Sequence, residues 1–179
     1  EEADRYKWIE YHKWKFNTSW FMKVAGNLVL NTRTKFGFLG LYNKNIGIAP
    51  FERFYLGGDG LSGFALDGRE LIGLRGYSNN SVTPMENGDY IGGTIYNKYT
   101  LELRYPISLN PNATVFVLGF MEAGNTWLKF KDFNPFDVKR AAGLGVRIYL
   151  PMFGLLGLDW GYGFDEIKGD SDANKGQFH

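Results

Sequence analysis

Arg75 is the residue whose type and surroundings point most directly to chemistry. It stands in the motif Leu74-Arg75-Gly76-Tyr77, within a glycine-rich stretch that separates segments of alternating apolar and polar residues. These neighbours indicate a side chain that is held in a fixed position. Because a guanidinium is permanently charged and presents a planar fork of donors, the chemistry expected of Arg75 is ion pairing with carboxylates.

Other reactive residue types are absent or unsuitably arranged. The chain has no cysteine, which excludes thiolate catalysis and cysteine-based zinc sites, and His12 has no acid beside it in a recognisable catalytic arrangement. The acidic residues near the end of the chain lack the spacing of a calcium-binding loop. We therefore expect a protein that is not an enzyme and that uses neither a metal nor a cofactor.

The composition limits the fold class and the partners. With 24 glycines and 17% aromatic residues in 179, the chain predicts a single domain rich in strands. The formal net charge is +1 and the 20 lysines and arginines are spread along the whole length, whereas nucleic acid binding needs a concentrated basic face. No segment approaches the roughly 18 consecutive apolar residues of a transmembrane helix. The acidic first residues are unlike a signal peptide, which indicates that the numbering begins inside a longer protein or after processing.

Alternation of apolar and polar residues with a period of two predicts the strands that must position Arg75. On residues 98–105, for example, Tyr99 and Leu101 share one face, and Lys98 and Glu102 share the other. Six such strands are predicted, over residues 13–20, 28–38, 98–105, 113–123, 141–150 and 156–165. Strands of roughly ten residues suit a tilted crossing of a bilayer, whereas strands of soluble sheets usually have about five or six.

The connections between these strands alternate in length. The short ones are at residues 25–27, 107–112 and 151–153, and the long ones are at 43–91, 125–137 and 166–175. Outer-membrane barrels have short turns on the periplasmic side and longer loops outside, so the alternation predicts the orientation of the strands. Near strand ends stand the aromatic residues expected to form interfacial girdles: Tyr42, Tyr105, Trp127 and Tyr149.

A soluble up-and-down barrel, such as a ligand carrier, is the alternative fold. Its lumen should be apolar and its outside polar, and the alternation alone does not tell which face points inward. Strand length and aromatic placement favour the membrane barrel. A spanning sheet must close, because unpaired backbone groups in hydrocarbon cost several kcal/mol each, and six strands cannot close one. We therefore expect residues 1–179 to form the C-terminal part of a larger barrel.

The connection at residues 43–91 is longer than ordinary loops and too apolar to be disordered. Its apolar side chains need a surface to pack on, and the barrel interior is the nearest one. Two of its motifs resemble the BamA family of outer-membrane assembly factors, whose sixth extracellular loop folds into the lumen. One motif is Leu74-Arg75-Gly76-Tyr77; the other is an aromatic lead-in with a double glycine, which contains Phe54, Tyr55, Gly57 and Gly58. The resemblance continues through residues 100–106, 120–127 and 143–147.

The resemblance implies an all-β, antiparallel transmembrane β-barrel of about sixteen strands, of which this chain supplies about six complete strands and partial ones. It also implies that Glu102 and Glu122, on the lumen faces of the next two strands, hold Arg75. Gly76 would allow close backbone approach and Tyr77 would place a ring beside the contact. The alternative is that Arg75 is a solvated loop residue and that the two glutamates line a wet channel.

The function that the resemblance implies is folding and insertion of β-barrel proteins into the outer membrane of a Gram-negative bacterium, through a lateral seam and without ATP. The implied partners are nascent outer-membrane β-barrel proteins, outer-membrane lipids and accessory lipoproteins. A two-partner-secretion type polypeptide translocator of the same superfamily and a passive porin are the alternatives.

Overall fold

The computed structural model of the protein describes residues 10–42, 52–61, 69–167, 170, 172 and 174–179. Over these residues the regular structure is almost entirely β-strand, with a short 3-10 helix at Phe130–Asp132. The strands, numbered in chain order, are β1 (Tyr11–Ala25), β2 (Leu28–Leu41), β3 (Phe54–Leu56), β4 (Glu70–Ile72), β5 (Met85–Glu86), β6 (Asp89–Tyr90), β7 (Ile95–Asn110), β8 (Ala113–Trp127), β9 (Lys139–Leu150), β10 (Gly154–Gly163) and β11 (Gly176–Phe178). In this part of the chain, no helix has the length and apolarity needed to cross a bilayer.

The main sheet contains seven antiparallel strands in the order β1-β2-β7-β8-β9-β10-β11. Six of them are long and correspond to the six predicted strands, which confirms the all-β antiparallel prediction. Within the described residues β1 and β11 are the two ends of the sheet and are not paired with each other. Closure into a barrel therefore stays a prediction.

The predicted connection at residues 107–112 is wrong, because β7 continues to Asn110. The ladder between β7 and β8 is irregular between Pro106 and Ser108. Proline has no N–H to donate, so it is accommodated where a bulge interrupts the ladder, and the strand resumes beyond it. Only a two-residue turn then separates β7 from β8.

The two faces of the main sheet have opposite chemistry. The inner face buries polar side chains, which include Asn31, Thr100, Glu102, Glu122 and Asp159. The outer face exposes large apolar ones, which include Trp20, Leu101, Met121, Leu144 and Leu158. A water-soluble sheet has the reverse arrangement, since exposed apolar area is unfavourable in water. The outer face therefore fits a hydrocarbon environment, as in membrane barrels, and not the polar exterior of a ligand carrier.

The segment between β2 and β7 folds over the inner face, and we call its described residues, 52–61 and 69–94, the inner loop. Its short strands β3 and β4 pair in parallel, and β5 and β6 form a hairpin; the alternation pattern does not predict these four. The inner loop and the sheet share a hydrophobic core of Leu39, Phe54, Leu56, Ile72, Leu74, Tyr77, Val82, Tyr96 and Ala141. Two parts of the predicted 43–91 connection, 43–51 and 62–68, lie outside the described residues.

Candidate functional site

Arg75 lies on the inner face of the sheet with its side chain only 11% exposed. Its Nη2 donates to Oε1 of Glu102 at 2.8 Å and to Oε1 of Glu122 at 2.7 Å. Its Nη1 donates to Oδ2 of Asp159 at 2.9 Å. The guanidinium also covers the ring of Phe120, with Cζ 3.7 Å from the ring centroid, which is a favourable cation–π geometry. One side chain of the inner loop is thus joined to β7, β8 and β10.

Glu122 holds Arg75 by both its side chain and its backbone. Oε2 of Glu122 accepts the backbone N–H of Arg75 at 3.0 Å, while Oε1 accepts the guanidinium. Burial by itself would lower the pKa of Arg75, but the nearby carboxylates, Glu122 foremost, raise this pKa above its ordinary value. The guanidinium is therefore charged at every accessible pH.

Lys98 adds a second contact between the inner loop and the sheet. Its Nζ lies 2.9 Å from Oε1 of Glu122 and donates to the backbone carbonyl of Gly73 at 2.5 Å. Glu122, whose side chain is 2% exposed, therefore faces two cations in a buried setting. Removing this carboxylate would leave both of them without a shared partner.

Two arginines on the sheet extend the network of charges. Arg104 pairs with Glu102, and Arg147 donates to both carboxylate oxygens of Asp159 at 2.6 Å. The three carboxylates consequently alternate with four cations, a network in which most donors and acceptors have a charged partner. A polar cavity of about 230 Å³ lies beside it, lined by both the inner loop and the sheet.

Gly76 lets the backbone of the inner loop lie directly against β10. Its φ is +91°, and a Cβ added there would meet the carbonyl carbon of Tyr162 at 2.9 Å and the nitrogen of Gly163 at 3.0 Å. On the strand, a Cβ at Gly161 would meet the nitrogen of Gly76 at 2.7 Å. A side chain on either partner would force the backbones apart. The N–H of Gly76 is bound by Nε2 of His179 at 3.0 Å.

Tyr77 is completely buried beside this contact. Its hydroxyl donates to the carbonyl of Arg140 at 2.7 Å and accepts the N–H of Asp165 at 3.1 Å, which ties the inner loop to β9 and to the residues after β10. Burial raises the pKa of Tyr77 to about 12, so the hydroxyl keeps the proton that it donates.

The carboxylate of Asp165, next to this contact, accepts hydrogen bonds from Arg140, and these lower the pKa of Asp165.

The two aromatic residues of the lead-in pack into the core of the inner loop. Phe54 is buried, and its ring centroid lies 4.7 Å from that of Tyr96 on β7. Its backbone exchanges hydrogen bonds with Gly93, at 2.9 and 2.7 Å. Tyr55 is also buried. The lead-in is therefore attached to the sheet next to the start of β7.

The double glycine and the Arg75 motif are hydrogen-bonded to each other. The N–H of Gly57 donates to the carbonyl of Ile72 and that of Gly58 to the carbonyl of Tyr77, each at 3.0 Å. In return, the N–H of Leu74 donates to the carbonyl of Gly58 at 2.9 Å. Gly58 has a φ of +70°, a conformation that glycine adopts without strain. The two motifs that the sequence places about twenty residues apart thus form one folded unit.

The structure brings all ten predicted site residues into this unit or its contacts, and it adds residues that the sequence pattern does not single out. Asp159, Lys98 and Phe120 each contact Arg75 or its partner Glu122. Asp159 could have been found, since in β10 it is the charged residue on a face that otherwise carries glycines at 157, 161 and 163. Among the described residues no group of three or more histidine, cysteine or acidic side chains is arranged to hold a metal ion.

The geometry of these contacts suits attachment of the inner loop to the sheet. The long strands, the apolar outer face and the inner loop define a class: part of the wall of a membrane β-barrel with a loop folded against its inside. Residues 4–179 match the Omp85 superfamily domain, and the chain belongs to that superfamily.

Among solved structures, the chain is similar to the crystal structure of BamA from Haemophilus ducreyi lacking POTRA domains 1-3. The TM-score is 0.68 and the sequence identity is 20%, over 94% of this chain and 34% of that one. The fold is therefore BamA-like, which confirms the family resemblance, and the chain spans only about a third of that relative's length. A comparison with curated proteins finds no match.

Proposed function

We propose that the protein folds and inserts β-barrel proteins into the outer membrane of a Gram-negative bacterium, without ATP or a cofactor. Membership of the Omp85 superfamily supports a role in insertion or translocation of proteins at the outer membrane. The observation that carries the finer proposal is the contact of Arg75 with carboxylates on β7, β8 and β10. This contact holds the inner loop to three strands of the sheet at once. A protein whose barrel opens at a seam would need such an attachment to keep the remaining strands in position.

The proposed mechanism uses strand edges for recognition. An exposed edge presents unpaired N–H and C=O groups, so a client strand can be recognised by backbone hydrogen bonds without side-chain chemistry. We place the seam close to β10, because this glycine-rich strand carries few side chains on its inner face and its local opening should cost little free energy. The inner-loop contacts would keep β9 and β10 in position while the edge is used. Nascent outer-membrane β-barrel proteins are the proposed clients, with outer-membrane lipids and accessory lipoproteins as further partners.

Arg75→Ala tests this proposal. The substitution leaves three buried carboxylates without their central cation, at a cost of roughly 3–5 kcal/mol. We expect a lower temperature for loss of the folded, heat-modifiable band on a gel, and reduced insertion of a client barrel into proteoliposomes. No single change of a glutamate should restore both properties.

The control is Lys175→Ala. Lys175 also pairs with a carboxylate, that of Asp172, but its side chain is 63% exposed, so solvent screens the interaction. Both gel behaviour and insertion should remain near those of the unchanged protein. Normal insertion by Arg75→Ala protein would refute the proposed role of the contact.

A polypeptide translocator of the same superfamily is the second candidate, since the Omp85 match does not separate insertion from export. The number of periplasmic domains that precede the barrel would discriminate between the two. A passive porin is the third candidate. It would not depend on the loop contact, so exchanging Arg75 and Glu102 should leave its assembly and conductance nearly intact, whereas the proposed insertase should lose activity.

A further inference from the structure

The connection between β8 and β9, residues 128–138, lies on the outer face of the sheet, and we call it the outer strap. The ring of Phe133 packs against Trp127 and Phe36, with centroid distances of 4.9 and 5.7 Å. Both partners belong to the outward-facing rows of their strands. Trp127, predicted to lie in an aromatic girdle, is only 7% exposed because the strap covers it.

Two asparagines fix the backbone of the outer strap. Nδ2 of Asn97 donates to the carbonyl of Pro135 at 3.1 Å, and Nδ2 of Asn125 donates to the carbonyl of Asp137 at 2.7 Å. Both asparagines share the outer face of β7 or β8 with apolar residues such as Tyr99. The strap therefore has a defined conformation against the outside of the wall.

The side chains that the outer strap leaves uncovered are of two kinds. Phe130 is 71% exposed and Phe136 is 90% exposed. Exposed beside them are Lys129, Lys131, Asp132 and Asp137. Large rings are unfavourable in water and charges are unfavourable in hydrocarbon, so neither medium alone suits this segment. The boundary between lipid headgroups and acyl chains satisfies both requirements, and aromatic rings are enriched there.

From this geometry we propose that the outer strap is a lipid-interface anchor, in which Phe130 and Phe136 insert into the headgroup boundary of the bilayer around the protein. The two exposed lysines are matched by the two exposed aspartates, so binding depends on the rings and not on anionic headgroups. The rings of the outer strap are continuous, through Phe133, with the apolar outer face of the sheet. The strap therefore contacts the same medium as that face, which is lipid. The proposal rests on the proposed membrane location but not on insertion activity.

The test uses a fluorescent label whose emission reports polarity, attached to cysteine variants of the intact protein in phosphatidylcholine vesicles. The chain contains no cysteine, so each label reports from one position of it. Phe136→Cys is the probe of the strap, Glu86→Cys in the exposed β5–β6 hairpin is the control in water, and Leu144→Cys on the outer face of β9 is the control in lipid. Heat-modifiability on a gel checks that each variant is folded.

At position 136 we expect emission at shorter wavelength than at position 86, and quenching by lipids brominated near the headgroup. This quenching should exceed that by lipids brominated deep in the chain, and the signal should be unchanged at high salt. If the label at 144 is quenched but the label at 136 behaves like that at 86, the strap is not an anchor although the wall is in lipid. If neither is quenched, the membrane location itself fails. Loss of the position-136 signal at high salt would overturn the ring-based interaction.

Discussion

The inner loop and the outer strap are both connections that fold back onto the sheet, but they attach by different interactions. The inner loop is held by a buried ion network centred on Arg75, together with backbone hydrogen bonds. The outer strap is held by ring contacts of Phe133 and by amides of Asn97 and Asn125. Each segment matches the chemistry of the face on which it lies.

This difference affects how each attachment should fail. In a buried ion network the loss of one member leaves the others desolvated and unpaired, so single substitutions should have large and non-additive effects. Ring packing and neutral hydrogen bonds at a surface contribute separately and modestly. A single substitution should therefore disrupt the whole attachment of the inner loop, whereas each substitution in the outer strap should weaken its attachment only in part.

The largest effect is expected for Glu122→Leu. The substitution removes the shared acceptor of Arg75 and Lys98 and should cost roughly 3–5 kcal/mol. Urea titration followed by the folded band on a gel would measure it. Glu86→Leu, in the exposed hairpin, is the control and should change little. Equal stability of the two variants would remove the distinction between the attachments.

A smaller effect is expected for Phe133→Ala. Contacts with Trp127 and Phe36 are lost, and aromatic pairs of this kind contribute about 0.5–1.5 kcal/mol each. Limited proteolysis should show faster cleavage within residues 128–138, with the inner loop cut no faster than before. Asp132→Ala, in the same strap, should leave the rate unchanged, since that side chain is exposed and has no part in the ring contacts. Faster cleavage of the inner loop in Phe133→Ala protein would mean that the two attachments are coupled.

The smallest effect is expected from pH. Burial lowers the pKa of His179 below 6.5, although Asp59 and Asp159 oppose the shift, and only the neutral ring accepts the N–H of Gly76. A depressed folded-state pKa means that this stabilisation is present above about pH 6.5 and is lost as the pH falls through the lower folded value.

Hydrogen exchange at the Gly76 amide checks this. Protection relative to the His179→Leu variant should decline as the pH falls below about 6.5, the ordinary pKa of histidine. The ion network itself should not weaken over that range, because the guanidinium of Arg75 stays charged. A constant difference between the two proteins would show that His179 does not titrate at this contact.

The sequence predicts the long strands well because all but β8, which is apolar on both faces up to Glu122, alternate between apolar and polar residues, and this alternation depends only on neighbours along the chain. It also places Glu102 and Glu122 on the inner face. By contrast, Asp159 lies 84 residues from Arg75 along the chain, and their contact depends on how β9 and β10 curve around the inner loop. The strands β3 to β6 are two or three residues long, too short to show a period.

The outer strap was predicted only as a long loop. Its position on the outside of the sheet depends on Phe133 reaching Phe36, a residue on β2 that is distant in sequence. Nothing in the local pattern indicates which face such a loop will cover. Tertiary packing, and not propensity, decides this part of the fold.

Asp159 stands between Leu158 and Trp160, with glycines two positions away on either side. If β10 slipped past β9 by one residue, an apolar side chain would meet the guanidinium; a slip by two would bring a residue with no side chain at all. Only one register of β10 therefore places a carboxylate against Arg75. Misaligned pairing of β10 would leave part of the charge of Arg75 uncompensated, so the cation that holds the inner loop also disfavours incorrect registers of the sheet.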